Sequence, residues 1–403
     1  MMETDPITWN GNLQVDNDFG TRLVPQAAEP RLDYRDLKLE RVLVMRLDNI
    51  GSVLLLAPAL RALREALPEA RLTLMASPVG AQAAPLLPWI DDLIVSQALW
   101  QDPYGRVKFN PERELGLIEQ MRSHEFSAAF ISTSYQQSPL PAAYACFLAD
   151  IPQRLGFSAE SVAGALSHSL PSPAEETHLA ERNLSLLEAL NIPVHDRHLS
   201  LSIPAGAHRM AGELLASAGI HAAQPYILVA PGASNPARRY DARRFAAVVR
   251  MLSAQAGLPL VIVGSQDEAR AIEPVVRSAG EAPARNVHSL VGRTSVPELA
   301  ALVERSSLVL ANNAAPMHLA EAFRRPMVIM YSGSELVSQW RPRRARARLL
   351  CRPVHCSPCQ GLECPYHMEC LDIRPDEVAV AALELLAERF FFRLPVQRRG
   401  AVL

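Results

Sequence analysis

Short apolar runs alternate with longer stretches rich in Ala, Leu and Arg from residue 41 onward, and this alternation constrains the fold more than any other feature of the chain. Candidate strands cover residues 41–46, 71–76, 92–95 and 127–132, and candidate helices cover residues 53–67, 112–124 and 178–190. Strands that alternate with helices form a parallel sheet covered by helices. The pattern therefore predicts an α/β fold.

The same pattern restarts near residue 225, where strands are predicted in PYILVAPGAS, LPLVIVGSQDE, SLVLANN and RPMVIMYSGS. The chain thus reads as two α/β domains in tandem. The predicted boundaries are an irregular lead-in over 1–38, an N-terminal domain over 39–200, a C-terminal domain over 205–375, and a helix and tail over 376–403. The sequence Phe390-Phe391-Phe392 in this tail favours a docking surface over a membrane anchor. Ligands of open α/β sheets bind at the carboxyl ends of the strands, so the cleft between the domains is the predicted site.

Composition and charge exclude several classes of function. The formal net charge of −2 gives no indication of a dedicated nucleic-acid binder. Neither a signal-peptide pattern nor an apolar run of about 18 residues is visible, so a cytoplasmic protein is expected. One basic run, residues 341–348, is interpreted as a solvated loop, with contact to an anionic acceptor or a membrane surface as the alternative.

The stretch MRLDNIGSVLLLAPAL predicts a strand, a tight loop and a helix, an arrangement that often holds phosphate at the helix N-terminus. A serine hydroxyl is too weak a base to take a proton unaided, so Ser52 is expected to cap a helix that begins at Val53. Asp48 is the nearest carboxylate. It is either a catalytic base or a side chain that holds the backbone of the loop.

Three loops of the second domain carry candidate binding residues. In APGASNPARRY, the backbone amides of Gly232, Ala233 and Ser234 could wrap a phosphate that Arg238 or Arg239 neutralises. An ordinary turn with surface arginines is the equal alternative.

In NNAAPMHLAEAF, Asn312 and Asn313 follow a strand and His318 lies in the first turn of a helix. A histidine in this position can hydrogen-bond an anionic leaving group, although a structural role is equally expected. In VGSQDEAR, Asp267 and Glu268 follow a buried strand, as do carboxylates that bind ribose hydroxyls. Helix capping by Asp267 is the alternative.

The spacing C-x2-C-x4-C-x5-C in the insert 351–370 places Cys356, Cys359, Cys364 and Cys370 within 15 residues. Four thiolates can surround a tetrahedral zinc or iron ion, and a site with all four positions filled is structural. Reduced or partly disulfide-linked cysteines are the alternative. No cofactor is expected for catalysis.

Together these stretches carry a resemblance that extends from about Arg41 to Val380. RLDNIGSVLLLAPALRALREALP, VAPGASNPARRYDARRFA, the region VHSLVGRTSVPELAALVERSSLVLANNAAPMHLAEAF and the cysteine-rich insert resemble glycosyltransferase family 9, the ADP-heptose:lipopolysaccharide heptosyltransferases. The resemblance implies a GT-B architecture, in which two Rossmann-like domains face a central cleft and the donor binds mainly to the second. It also implies inverting, metal-independent transfer of a heptose from ADP-heptose to a lipid-linked inner-core saccharide at the cytoplasmic membrane face.

By the same resemblance, the donor diphosphate would lie against Gly232, Ala233, Ser234 and Arg238, with Asn313 and His318 in the second phosphate loop. The family's catalytic Asp, which follows the glycine of the first loop, is replaced by Ser52. Its Ser/Thr-Gly pair in the second phosphate loop is replaced by Ala314-Ala315. We therefore expect an active transferase with an altered base or acceptor, and we retain as the alternative a non-catalytic nucleotide-sugar-binding or assembly protein.

Overall fold

The computed structural model describes residues 33–102, 105, 107–158, 164–221, 223–277 and 286–391. Most of the predicted lead-in lies outside these residues. The side chains of the predicted phenylalanine cluster, 390–392, lie outside them as well.

The first sheet contains six parallel strands in the order β3-β2-β1-β4-β5-β6. The strands are β1 (Arg41–Arg46), β2 (Arg71–Ala76), β3 (Asp92–Val95), β4 (Ala128–Ile131), β5 (Gln153–Phe157) and β6 (His168–Leu170). The four predicted strands are present. Strand β1 is central, and in its register Val44 lies opposite Leu74 on one side and Phe130 on the other. The loop after β1 therefore emerges in the middle of the sheet edge.

The second sheet repeats this design with the order β12-β11-β10-β7-β8-β9, again parallel throughout. Its strands are β7 (Ile227–Ala230), β8 (Leu260–Ile262), β9 (Val287–Ser289), β10 (Leu308–Asn312), β11 (Met327–Met330) and β12 (Ala347–Leu350). Strands β7, β8, β10 and β11 are buried along their whole length, as expected for a sheet covered on both faces.

Helices cover both sheets. In the first half of the chain they are α1 (Ile50–Leu54), α2 (Ala57–Ala66), α3 (Pro111–Ser123), α4 (Leu140–Leu148) and α5 (Leu179–Glu188). In the second half they are α6 (Ala205–Ser217), α7 (Ala242–Gln255), α8 (Glu273–Arg277), α9 (Val296–Arg305), α10 (Ala315–Ala322), α11 (Val337–Trp340) and α12 (Pro375–Phe391). The single helix predicted over 53–67 is two helices. Pro58 lies in the first turn of α2, where the missing proline N–H is tolerated.

One apolar core runs through both halves of the molecule. Val53 and Leu60 from the first half belong to the same buried cluster as Leu319 and Trp340 from the second. Burial of apolar side chains between the two sheets stabilises their mutual orientation. It thereby positions the loop after β1 opposite helix α10.

The basic run 341–348 keeps Arg341, Arg344 and Arg346 exposed, as expected for a solvated loop, but it also makes ion pairs that its composition does not predict. The Arg343 side chain is only 19% exposed and forms an ion pair with Glu181 of α5 (2.5 Å). Arg346 and Arg348 both pair with Glu388 of α12. Contacts far apart in sequence thus neutralise three of the five arginines.

None of the helices within the described ranges is long and apolar enough to cross a membrane.

Candidate active site

The loop after β1 begins the site in the first domain. Asn49 is the N-cap of α1, and its carboxamide oxygen accepts a hydrogen bond from the Ser52 backbone N–H (3.2 Å). The Ser52 hydroxyl lies 3.4 Å from the same oxygen, and the residue is 2% exposed. The prediction that Ser52 caps a helix is therefore wrong. The helix begins at Ile50, one residue after an asparagine that already fills the capping role.

Asp48 joins three loops at the carboxyl edge of the first sheet. Its carboxylate pairs with Arg46 at the end of β1 (Nε–Oδ2 2.8 Å) and accepts a hydrogen bond from Gln137 beyond β4 (2.6 Å). Its backbone carbonyl accepts a hydrogen bond from the Ser77 hydroxyl beyond β2 (2.5 Å). The side chain is 12% exposed. Asp48 thus holds the loop in shape, and its side chain is mostly buried.

Arg46 is the buried cation that orients Asp48. Its side chain is 1% exposed, and its Nη1 and Nη2 atoms donate to the hydroxyls of Ser132 (3.1 Å) and Ser134 (2.7 Å). Burial lowers the pKa of Arg46, and the Asp48 carboxylate opposes this shift. Since a buried charge requires a partner, Arg46 depends on Asp48 as much as Asp48 depends on Arg46.

Two consecutive asparagines organise the loops of the second domain. The Asn312 carboxamide donates to the backbone carbonyls of Pro231 (2.8 Å) and Gly232 (3.3 Å) in the loop after β7. The Asn313 oxygen accepts from the backbone N–H of Ser332 (3.1 Å) in the loop after β11. Because β10 lies between β7 and β11, each asparagine fixes the loop of one neighbouring strand.

Arg238 and Glu335 form an ion pair between these two loops (Nη2–Oε1 2.5 Å), with side chains only 16% and 13% exposed. Asn313 donates a hydrogen bond to the second carboxylate oxygen of Glu335 (3.2 Å). Burial raises the pKa of Glu335, and the neighbouring Arg238 and Asn313 oppose this rise. Glu335 was not predicted from the sequence. It follows the strand end in MYSGSE, and ligand-binding residues of such sheets lie at the carboxyl ends of the strands.

His318 of α10 lies where the two domains meet. It is 3% exposed, and its ring lies 5.9 Å from that of Trp340 between centroids. Burial, together with the charges of Arg238 and Arg343, lowers its pKa to about 3, so the imidazole is neutral at physiological pH.

Two buried nitrogen atoms at this point are unsatisfied. His318 Nδ1 and Arg238 Nε have no hydrogen-bond partner within the part of the chain that the structure describes. Buried polar nitrogens are nearly always bonded in proteins, to protein atoms, water or a ligand. The pair therefore marks a place where a polar or anionic group can bind.

The other residues predicted to bind the nucleotide-sugar donor lie in the neighbouring loops. The Glu268 carboxylate lies against the Cα of Gly232 and accepts hydrogen bonds from the backbone N–H (2.9 Å) and hydroxyl (3.0 Å) of Ser265. Ser234 and Asp267 are exposed. Helix α8 begins only at Glu273, so Asp267 does not cap it.

The two arginines of APGASNPARRY have separate roles. Arg239 Nε donates to the backbone carbonyl of Ala233 (2.7 Å) and so fixes the loop after β7. Arg238 forms the ion pair with Glu335, and its charge is among the causes that lower the pKa of His318. Of the two, Arg238 keeps its Nε without a partner among the described residues, whereas the Nε of Arg239 is bonded.

The cysteine-rich insert braces both loops that carry this site. The backbone N–H of Cys359 donates to the carbonyl of Gly333 in the loop after β11 (3.1 Å). On the other side, the Asn235 carboxamide of the loop after β7 donates to the carbonyl of Gly361 (3.2 Å). The insert therefore connects the segments that hold Arg238 and Glu335.

The predicted metal site in this insert has no support from the structure. Within the described residues no group of three or more His, Cys, Asp or Glu side chains is placed to hold a metal ion. All six cysteines are free thiols, which also leaves the disulfide alternative without support. Burial raises the pKa of Cys370, and the thiols of Cys356, Cys359 and Cys364 raise it further, so the four side chains are neighbours without forming a ligand set.

Polar contacts hold the two domains together beside the site. His178 Nδ1 accepts from the backbone N–H of Ala180 at the start of α5, and Nε2 donates to the carbonyl of Arg341 (both 3.2 Å). Burial lowers the pKa of His178 to about 3, so the ring is neutral. A neutral imidazole has one nitrogen that accepts a hydrogen bond and one that donates. Gln339 adds a hydrogen bond to the carbonyl of Glu175 (2.8 Å).

Sequence comparisons with known proteins agree with the family predicted from the motifs. The family model described as glycosyltransferase family 9 (heptosyltransferase) matches residues 117–369. Lipopolysaccharide heptosyltransferase 3 of Escherichia coli (strain K12) is 24% identical over 304 residues, which cover 72% of this chain and 82% of that protein.

Solved structures share the architecture. A family 9 glycosyltransferase from Veillonella parvula superposes with a TM-score of 0.70 at 22% identity, covering 89% of this chain and 99% of the other. The ADP-heptose lps heptosyltransferase II of E. coli gives a TM-score of 0.67 at 20% identity, covering 87% and 99%. These likenesses confirm the predicted fold of two Rossmann-like domains. Since the family model covers well over half of the chain, the family predicted from the sequence motifs is confirmed, and this protein belongs to glycosyltransferase family 9 as a glycosyltransferase of the GT-B type.

Proposed function

We propose that this glycosyltransferase transfers a heptose from ADP-heptose to a saccharide acceptor of the lipopolysaccharide type, with inversion at the anomeric carbon. The family description and the names of its relatives support this class of donor and acceptor. The single observation that carries the proposal is the pair of unsatisfied nitrogens, His318 Nδ1 and Arg238 Nε, in the buried region between the domains.

In this proposal the donor diphosphate binds between the loop after β7 and helix α10. Arg238 supplies positive charge, and the neutral imidazole of His318 supplies one directed hydrogen bond. The backbone amides of Gly232, Ala233 and Ser234 follow the strand end at which phosphate groups bind in sheets of this kind. Glu268, whose carboxylate lies beside Gly232, is proposed to accept ribose hydroxyls.

The reaction is a single displacement. The acceptor hydroxyl forms a bond to the anomeric carbon while the bond from that carbon to the diphosphate oxygen breaks, and ADP leaves. A base must take the hydroxyl proton. Because Ser52 has no carboxylate, we propose Asp48, whose side chain is 12% exposed and whose carboxylate is held in place by Arg46 and Gln137.

The acceptor is proposed to be a lipid-linked saccharide, reached by peripheral contact of a cytoplasmic protein with the membrane. The word lipopolysaccharide in the name of the E. coli relative supports this proposal. Turnover measured with a panel of acceptors identifies the sugar residue that receives the heptose.

The test combines donor binding with donor turnover. A charged hydrogen bond contributes about 1.5–3 kcal/mol, so Arg238→Ala and His318→Ala should each weaken ADP binding by about ten-fold or more. Arg244→Ala, which removes an exposed surface ion pair with Asp372, is the control and should leave affinity unchanged. Calorimetry measures binding, and release of ADP from ADP-heptose with an acceptor measures turnover.

Unchanged affinity in both site variants would rule out this donor site. Tight donor binding without turnover against every acceptor tested would favour the non-catalytic alternative.

A further inference from the structure

Glu335 is a buried anion inside the proposed diphosphate site. Its carboxylate is 13% exposed and contacts the Arg238 guanidinium on one oxygen and the Asn313 carboxamide on the other. The same guanidinium keeps Nε buried and without a partner among the described residues. The ion pair therefore uses Nη2 and leaves Nε, on the same edge of the guanidinium, without an acceptor among the described residues.

The charges of the site make this arrangement unusual for a phosphate-binding cleft. The positive charge of Arg238 is already balanced by Glu335, and His318 is neutral. A diphosphate oxygen that bonds Nε of Arg238 must share that cation with a carboxylate fixed beside it. Two anions on one largely buried cation repel each other, and this repulsion is screened less than it would be in water.

We propose that Glu335 is a built-in counter-ion of Arg238 that weakens diphosphate binding and favours release of the nucleoside diphosphate product. This inference rests on the proposed nucleotide-sugar function. When the diphosphate is bound, Arg238 is shared between two anions. When it leaves, the carboxylate again balances the guanidinium alone, so the empty site never exposes an uncompensated buried charge.

Glu335→Gln tests the proposal because it removes the charge and keeps the shape and one carbonyl acceptor. Repulsion between charges several ångströms apart in a partly buried site corresponds to about ten-fold or more in affinity, so ADP should bind the variant at least about ten-fold more tightly. The gain should be smaller for AMP and absent for adenosine, since it follows the phosphate charge. Calorimetry with the three nucleotides measures it.

Three further variants separate charge from structure. Glu335→Ala should show the same gain, while Glu335→Asp, which retains the charge, should stay close to the wild type. Glu321→Gln, which neutralises a buried carboxylate that pairs with Arg343 instead of Arg238, is the matched control and should not change ADP affinity. Thermal unfolding of each variant establishes that it is folded.

If the wild type binds ADP and neither Glu335→Gln nor Glu335→Ala binds it more tightly, the inference is wrong and the donor site stands. An equal gain for adenosine and ADP would also overturn it, because the effect would then be independent of phosphate charge. If neither the wild type nor these variants bind ADP, both the proposed donor and the role of Glu335 are wrong.

Discussion

Gly51 of the first domain lies against the His318 imidazole of the second so closely that a Cβ at position 51 would stand 2.9 Å from Cδ2 and 3.3 Å from Nε2. The imidazole also lies near Trp340, with 5.9 Å between ring centroids. The contact that joins α1 to α10 therefore also fixes the side chain proposed to bind the donor diphosphate. The His318 side chain therefore both contacts the first domain and is proposed to bind the donor.

Gly51→Ala should weaken donor binding because the added methyl group displaces His318, which has little room to retreat beside Trp340. Gly51 lies within a helix, so alanine adds no backbone strain and the effect reports the contact alone. We expect a several-fold loss of ADP affinity by calorimetry. Gly116→Ala in α3, where a Cβ would meet nothing within 4 Å, is the control. Equal affinity in both variants would contradict a role for this contact.

Ser52→Asp should raise turnover if the acceptor pocket is intact, because it restores the carboxylate that the family usually carries after this glycine. The wild type is expected to be slow with standard heptose acceptors, because a serine hydroxyl is too weak a base to take the acceptor proton. Ser52 is also buried, and its hydroxyl lies 3.4 Å from the Asn49 carboxamide oxygen. Ser52→Asn, similar in size and uncharged, should give no gain. A steady-state assay of ADP release measures all three proteins. Equal rates in Ser52→Asp and Ser52→Asn would argue against a missing base at this position.

Asp48→Asn should reduce turnover strongly and leave ADP affinity nearly unchanged, since its carboxylate lies in the first domain and the proposed diphosphate site in the second. General base catalysis contributes about 10²–10⁴-fold, so a loss in this range is expected. Gln137→Ala removes a hydrogen bond to the same carboxylate (2.6 Å) without removing its charge, and it should cost much less. Full activity in Asp48→Asn would exclude Asp48 as the base.

The two buried histidines should make the protein sensitive to acid. The pKa values of His178 and His318 are about 3 in the folded state against 6.5 ordinarily, so only the unfolded state gains protons as the pH falls below about 6.5. Their stabilisation is complete above that pH. It is lost on acidification at up to about 1.4 kcal/mol per pH unit for each imidazole.

His178→Asn retains a capping acceptor for α5 and removes one titrating group, so its unfolding free energy should fall less steeply with acidification than that of the wild type. Urea unfolding between about pH 7.5 and about pH 4.5 measures both slopes. Parallel slopes would show that His178 titrates normally in the folded protein.

Asn235→Ala should reduce both stability and donor affinity. Asn235 is 7% exposed, and its carboxamide bonds the Ala237 backbone N–H (2.9 Å) and the Gly361 carbonyl (3.2 Å) of the cysteine-rich insert. Each buried group left unpaired costs about 1–3 kcal/mol, and the loop carrying Arg238 loses its brace. Asn110→Ala, which removes the N-cap of α3, should lower stability alone. If Asn235→Ala has a lower melting temperature than the wild type but binds ADP with the same affinity, the insert does not position Arg238.

Local patterns identified the parts of this protein that depend on local physics. Alternation of apolar strands and amphipathic stretches predicted the two parallel sheets. Capping was misplaced at Ser52 because Asn49 offers an equivalent acceptor three residues earlier, and a sequence does not show which of two competing caps is used. The cysteine spacing predicted a metal that the arrangement of the described thiols does not support.

The sequence by itself determined the fold class, the family and the loops that face the cleft, because these follow from periodicity and from short motifs in fixed order. Only the tertiary structure decided that Arg238 pairs with Glu335, 97 residues away, and that Gly51 makes room for His318. Each of these contacts joins different strand ends or different domains. Its existence depends on how two sheets pack against each other, and that packing is set by the shared apolar core between the domains rather than by any local pattern along the chain.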